Sequence, residues 1–432
     1  MNKRKKLWGV TISLFLQALS MSAQQMLTLD DLFRMADNQS QQIRISKTSV
    51  LGAEEAVKSA KSQRLPDVET ELSIGYLGDG ALSDRDFTNW THVDNPHFTN
   101  NFALKVQQIV WSGGAITVGI RMAELGKEMA ELDLRHNREE VRFIIAGQYL
   151  DLCRLKNHQT VVEENITLTD TLIQNTQARI EAGTALQNDV TRYELQRENL
   201  LLQSQKLTDA MSIICHQLST TLHTQIHQEQ INAMEIPADF GSVDWQQLAA
   251  NENIGIHQAA TAIRMSEQKL ELKHSELLPK VAIVAENHFD GPITIEVPVI
   301  DKNFNYWFAG IGIQYSLSSL WKSNKAVGKA RYDLQQAQER HTLAMEGVNK
   351  AVQAAYTNFL TAQTELRTQQ KSVELATEHY RITSNRYTNG LCLMTDMLDA
   401  SNTKLSAELA LVNARINILY HYYQLKYISS TL

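Results

Sequence analysis

The sequence predicts a mainly α-helical protein with a small β part, in which very long helices adjoin four strands. Three observations carry that expectation. Only six prolines occur in 432 residues, with none between Pro96 and Pro237 and none after Pro298. An internal proline breaks a helix, so proline-free stretches of this length fit very long ones. The pattern Arg-x-x-x-Gly-x-x-x-x-x-Asp occurs twice: Arg179, Gly183 and Asp189 match Arg386, Gly390 and Asp396, each pair 207 positions apart. Finally, a segment of alternating polarity follows each of two Leu-Pro pairs, Leu65-Pro66 and Leu278-Pro279.

Residues 1–23 read as a secretory signal peptide. Lys3, Arg4, Lys5 and Lys6 precede a mostly apolar run from Leu7 to Leu19, and small residues at Ser20, Ser22 and Ala23 suit cleavage. The apolar run is shorter than the roughly 20 residues that a membrane-spanning helix needs. No cysteine follows it, which argues against a lipid anchor. Cleavage would take the formal charge of −7 further negative, which disfavours a nucleic-acid partner. The three cysteines, Cys153, Cys215 and Cys392, are odd in number and widely spaced, so free thiols are expected rather than a disulfide frame.

Two repeats follow, 24–236 and 237–432, each expected to run helix, strand pair, very long helix, tip turn, helix. The first helix spans Thr28 to Gln63, with Thr28 as N-cap and Asp30 and Asp31 in the first turn. Its counterpart spans Val243 to Glu276. Strands are expected at about 67–76 and 101–111, then at about 280–288 and 305–318. In the first, Val68, Thr70, Leu72, Ile74 and Tyr76 alternate with Asp67, Glu69, Glu71, Ser73 and Gly75. A polar loop, Leu77 to Asn101, joins the first pair. Strands of about 9–11 residues with this alternation suit an outer-membrane barrel, and Trp90, Trp111, Trp307 and Trp321 lie at or near them, as interfacial girdles do.

The long helices are expected from about Ala115 to Ala182 and from Ala326 to Asn389. The 207-residue offset pairs Tyr149 with Tyr356 and sets Ile145, Leu152, Ile166, Ile173 and Ile180 against Val352, Phe359, Val373, Tyr380 and Tyr387. The one mismatch is Gln159 opposite Leu366. Such heptads make coiled-coil seams. A helix of about 65 residues is on the order of 100 Å long, and a monomer has no core of that length, so the helices must pack side by side. Four strands cannot close a barrel, and an open edge in lipid leaves backbone groups unpaired. Closure therefore needs at least two chains; three would supply twelve strands.

The order of elements, the duplication, and above all Tyr387-x-x-Gly390-x-x-x-x-x-Asp396-Met-Leu-Asp399-Ala400 followed by Asn413-Ala414-Arg415 resemble the TolC family of bacterial outer-membrane efflux proteins. That resemblance implies a homotrimer with a twelve-stranded β-barrel in outer-membrane lipid and a long α-helical barrel reaching into the periplasm. It implies docking on a periplasmic adaptor and an inner-membrane pump of the resistance-nodulation-division or ABC type, with small molecules or drugs conducted passively. It also implies an equatorial girdle from Gln225 to Asp244 and the C-terminal end. Asp396 and Asp399 would ring the periplasmic entrance, closed by a network among Asp189, Tyr387 and Arg415. Arg179, Gly183, Arg386 and Gly390 would form the adaptor-facing tip turns. Cys392 departs from the family pattern, standing where the best-known member has an arginine of that network.

On spacing alone, Gly183 and Gly390 are also helix-ending residues and Asp189 and Asp396 helix-start residues. His216, His223 and His227 lie close in sequence without zincin spacing, and Asp79, Asp84 and Asp86 lack the full calcium-loop pattern. The sequence therefore predicts no catalytic residues, no metal and no cofactor; nucleotide-binding, nucleophile-elbow and heme motifs are absent. Two other functions stay open: a type I secretion duct for a polypeptide, and a soluble periplasmic helical scaffold or adaptor.

Overall fold

The computed structural model describes residues 26–231, 236–237 and 240–432, so the expected signal peptide lies outside the described residues. The chain is mainly helical with one four-stranded antiparallel sheet and a small hairpin. The elements are α1 (Leu29–Gln39), α2 (Gln41–Ser62), β1 (Asp67–Tyr76), β2 (Gly80–Leu82), β3 (Thr91–Val93), β4 (Phe98–Trp111), α3 (Ala115–Glu181) and α4 (Gln187–Leu222). Then follow α5 (Trp245–Glu252), α6 (Ile254–Ser275), β5 (Lys280–Gly291), β6 (Phe304–Gln314), α7 (Ser319–Thr388) and α8 (Met394–Ile428). The longest helices, α3 and α7, hold 67 and 70 residues. They contribute to both of the compact units into which the chain divides.

The first unit comprises 26–47, 134–254 and 345–432 among the described residues. Helix α1 opens with a capping box. Thr28 Oγ1 accepts from the Asp31 N–H at 3.3 Å, and the Asp31 carboxylate accepts from the Thr28 N–H at 3.1 Å. Its apolar stripe, Leu29, Leu32, Phe33 and Ala36, is buried with Ile145, Tyr149 and Leu152 of α3, Leu218 and Leu222 of α4, Phe359 of α7 and Leu419 of α8. The expected helix from Thr28 to Gln63 is in fact two. Ser40 swings to ψ 127 while its N–H still bonds to Ala36 O at 2.9 Å. Asn253 makes the matching break between α5 and α6, at ψ 120, and its side chain donates to Ile428 O at 2.7 Å.

The second unit comprises 48–133 and 255–344. Its strands lie in the order β1-β4-β5-β6, and its helices follow the same lateral order. Glu54 and Lys127 join α2 to α3 at 2.9 Å, Thr261 and Glu128 join α6 to α3 at 3.1 Å, and Lys269 and Asp333 join α6 to α7 at 3.1 Å. The register places Val68, Val106, Ala285 and Ala309 in one row, and Glu69, Lys105, Glu286 and Phe308 in the next. One face is therefore apolar, carrying Leu72, Ile74, Phe102, Leu104, Ile283, Phe289, Trp307, Ile311 and Ile313, all exposed. The other face is polar, with Glu71 bonded to Lys105 at 3.1 Å and Asn101 to Asp290 at 2.6 Å. Strand β4 starts at Phe98 and the hairpin β2–β3 pairs Ala81 with His92, where a polar loop was expected. Helix α7 begins at Ser319, so the alternating Tyr315 and Leu317 lie beyond the end of β6.

Phe359 is 5% exposed and meets Phe240 edge-on, with ring centroids 5.1 Å apart. Phe359→Ala should destabilise the chain by about 3–5 kcal/mol through transfer loss and cavity formation. Lys371→Ala, on an exposed position of the same helix, should leave the melting temperature nearly unchanged; circular-dichroism melts of the two variants check this.

Candidate entrance site

Both long helices end in the same way. Gly183 and Gly390 have φ of +70° and +73°, a region in which an L side chain is strained and glycine is not. At the first tip Gly183 N–H bonds to Ile180 O at 2.9 Å and Thr184 N–H to Arg179 O at 2.8 Å. At the second, Gly390 N–H bonds to Tyr387 O at 3.0 Å and Leu391 N–H to Arg386 O at 2.8 Å. Each pair is a Schellman closure, which satisfies the last carbonyls of the helix.

The following helices also start alike. Leu186 and Leu393 occupy the N-cap positions without a polar side chain to offer. The carboxylate three residues on supplies the bond instead: Asp189 Oδ2 accepts from Leu186 N–H at 3.2 Å, and Asp396 Oδ2 from Leu393 N–H at 3.0 Å. Both carboxylates therefore sit in the first turn, where the helix dipole favours negative charge. Asp399, one turn on, is exposed, as is Asp396, while Asp189 is half-buried.

The two tips are not equivalent in their arginines. The Arg179 guanidinium lies 4.7 Å from the centre of the Tyr387 ring, and its Nη1 donates to Tyr387 O at 3.3 Å. One residue of the first tip thus caps the C-terminal end of the long helix of the second, joining cation–π attraction to favourable charge at a helix C-terminus. Arg386 stays on its own tip, with Nη2 3.5 Å from Leu391 O.

Beneath the turns lies a small core of Leu172, Tyr193, Tyr387, Met394 and Met397, with Tyr380 and Cys392 against it. Tyr193 is fully buried, and its hydroxyl has no hydrogen-bond partner of standard geometry. Burial first, and the neighbouring Tyr387 second, push the Tyr193 phenol far above the usual tyrosine range. Cys392 is half-buried, its thiol 3.6 Å from Thr383 O. At this position the chain offers only the weak thiol donor of a cysteine.

The geometry brings Asp189, Tyr387, Arg179 and Asp396 to one end of the first unit. It does not bring Arg415 to them. Arg415 is exposed on α8, and the 19 residues separating it from Asp396 span about 28 Å of helix. Of the histidines, His223 ends α4 in a left-handed conformation, and His216 and His227 line an open cavity of about 460 Å³ with Cys215 and Glu229. Asp84 and Asp86 accept bonds within their own loop, from Asn89 at 2.6 Å and from Thr88 Oγ1 at 2.7 Å, and do not converge with Asp79.

Residues 245–428 match the model of the outer membrane efflux protein family. The chain is similar to the outer membrane protein TolC of Salmonella enteritidis, 22% identical over 189 residues. That match covers 43% of this chain and 38% of the relative, so it spans well under half of either. The outer membrane protein VceC of Vibrio cholerae shares the fold, with a TM-score of 0.77 at 17% identity over 93% of this chain and 96% of that one. So do the Campylobacter jejuni CmeC channel (TM-score 0.73, 12% identity, 93% and 85% covered) and the open Neisseria gonorrhoeae MtrE channel (0.73, 14%, 93% and 88%).

Tyr193→Phe removes a buried hydroxyl that has no hydrogen bond of standard geometry and only the Tyr387 hydroxyl as a loose neighbour, so it should change stability at neutral pH by less than about 1 kcal/mol. The folded chain holds the Tyr193 proton more tightly than the unfolded chain. Its contribution is therefore intact below about pH 10, where an unfolded tyrosine titrates, and lost as pH rises beyond. Melting temperatures taken from neutral to strongly alkaline pH should fall less steeply for Tyr193→Phe than for the wild type. Identical slopes would place Tyr193 outside the alkaline response.

Proposed function

We propose that this chain is the exit duct of a tripartite efflux system, a reading supported by the match of residues 245–428 to the outer membrane efflux protein family. It resides in the outer membrane, extends into the periplasm, and conducts small molecules passively; it is a conduit and not an enzyme. The observation that carries this reading is the four-stranded sheet with one apolar exposed face, one polar face, and β1 and β6 as its two outer edges. A polar inner face and an apolar outer face suit a water-filled barrel in lipid. Three copies would supply twelve strands and close every edge. Each copy contributes two repeats, 24–236 and 237–432, after loss of residues 1–23.

In this reading the two tip turns face a periplasmic adaptor, which in turn engages a resistance-nodulation-division or ABC pump. Leu186, Leu391 and Leu393 project at the tips, each about 70% exposed, and offer apolar contacts beside Gly183, Gly390 and Arg386. Asp396 and Asp399 of three copies set six carboxylates around the entrance, favouring cations. Arg179 holds the tips of one chain together through Tyr387, in a position where Cys392 supplies no charge. Asp189 fixes the helix start beside it. Arg415 belongs to the wall of the helical barrel above this layer.

Two planar-bilayer measurements test this placement. Asp396→Asn with Asp399→Asn removes six charges per trimer, while an asparagine oxygen can still accept the Leu393 N–H. Cation preference and block by multivalent cations should drop sharply with assembly intact; unchanged selectivity would turn the carboxylates away from the pore. Arg179→Ala removes a link of about 1 kcal/mol per chain, which shifts the closed–open balance about fivefold for each of the three chains. Time-averaged conductance should rise in Arg179→Ala and stay near wild type in Arg386→Ala. Equal behaviour of the two variants would remove the bridging role from Arg179.

A further inference from the structure

The connection between β1 and β4 carries a cluster of side chains that conduction does not use. Helices α2 and α3 flank the sheet at Asp67 and Trp111, so this connection leaves from the opposite strand ends. If the duct reading holds, it faces the cell exterior. Within it, β2 and β3 pair Gly80 with Val93 and Ala81 with His92. That pairing sets Asp79, just before β2, against Asp94, just after β3, with His92 beside them.

The three side chains converge. His92 Nε2 lies 3.0 Å from Asp94 Oδ1 and 3.8 Å from Asp79 Oδ2. One donor atom from each of the three lies within 4.8 Å of the other two. Bonds of about 2.0–2.2 Å in a tetrahedral zinc site hold neighbouring donors about 3.3–3.6 Å apart, so the two measured separations bracket the required edge. Asp79 is already oriented toward such an ion, because its Oδ1 accepts the Asn95 N–H at 3.2 Å and leaves Oδ2 toward His92. The base of the hairpin is fixed by Leu77 N–H bonding to His97 O at 2.8 Å and by His97 stacking on Tyr76 at 4.7 Å.

We propose that Asp79, His92 and Asp94 form a divalent transition-metal site of the zinc class on the β2–β3 hairpin. Two carboxylates and a neutral imidazole present two negative charges to one divalent cation. The nitrogen donor selects zinc, nickel, copper or cobalt over calcium and magnesium, which prefer oxygen ligands alone. Side-chain exposures of 38% for Asp79, 67% for His92 and 92% for Asp94 make the site open. Such a site exchanges its ion with the surroundings, and water completes the coordination. No spacing in the sequence marks this set, because Asp79 and His92 are joined only by strand pairing.

The experiment is metal binding by the full-length protein in detergent, with Zn²⁺ titrated calorimetrically and Co²⁺ followed by its visible absorption. Wild type should bind one equivalent per chain that His92→Ala loses and Asp79→Asn with Asp94→Asn loses as well. His216→Ala with His227→Ala, and Asp84→Asn with Asp86→Asn, should retain it. Circular dichroism establishes that each variant is folded. Equal Zn²⁺ uptake by wild type and His92→Ala would overturn the proposal, as would Ca²⁺ binding at the same strength as Zn²⁺. The readout does not depend on conduction: a zinc-binding chain that forms no channel would defeat the duct reading and leave this site standing.

Discussion

The backbone edges of β1 and β6 set the terms for the rest of the molecule. A single chain offers one sheet with an apolar face and two outer edges. Within lipid no water reaches the unpaired N–H and C=O groups, and each would be destabilising by several kcal/mol. Pairing with further copies removes that penalty, and the lateral order α2-α3-α6-α7 beneath β1-β4-β5-β6 carries any such ring from strands into helices. In the proposed duct, oligomer and channel are then consequences of one requirement. The exposed apolar positions on the long helices, among them Leu343, Leu375 and Ile382, fit seams that a lone chain leaves uncovered.

The end that carries the two tip turns shows how duplication can keep a backbone while changing its chemistry. Both tips repeat the same Schellman closure and the same back-bonding carboxylate. Their arginines diverge: Arg179 crosses to Tyr387, whereas Arg386 remains local. With Cys392 bonded only weakly to Thr383 O, the charged contact between the two tips comes from the first repeat. A cation placed over a helix C-terminus and an aromatic ring makes a link of modest strength, which suits the proposed closed–open balance.

Much of this was legible in the sequence, because period and punctuation are local properties. The alternation from Val68 to Tyr76 is a strand with the expected facing, and the absence of proline after Pro298 leaves α7 unbroken for 70 residues. Other features were hidden for physical reasons. Ser40 and Asn253 interrupt helices through a single ψ change, without glycine or proline to announce it. The β2–β3 hairpin is held by pairs only three residues long, too short for periodicity to register. Arg179 meets Tyr387 across 208 positions, and nothing near Arg179 in sequence distinguishes it from Arg386. The resemblance implies Arg415 in the closing network, whereas helix geometry sets it about 28 Å along α8 from Asp396.

Native mass spectrometry of the detergent-solubilised protein tests the central claim most directly. The account predicts an assembly of three chains, with no stable species of one chain that still reconstitutes into lipid. A single chain that inserts into bilayers and remains folded there would contradict it, since β1 and β6 would then survive in lipid with their edges bare.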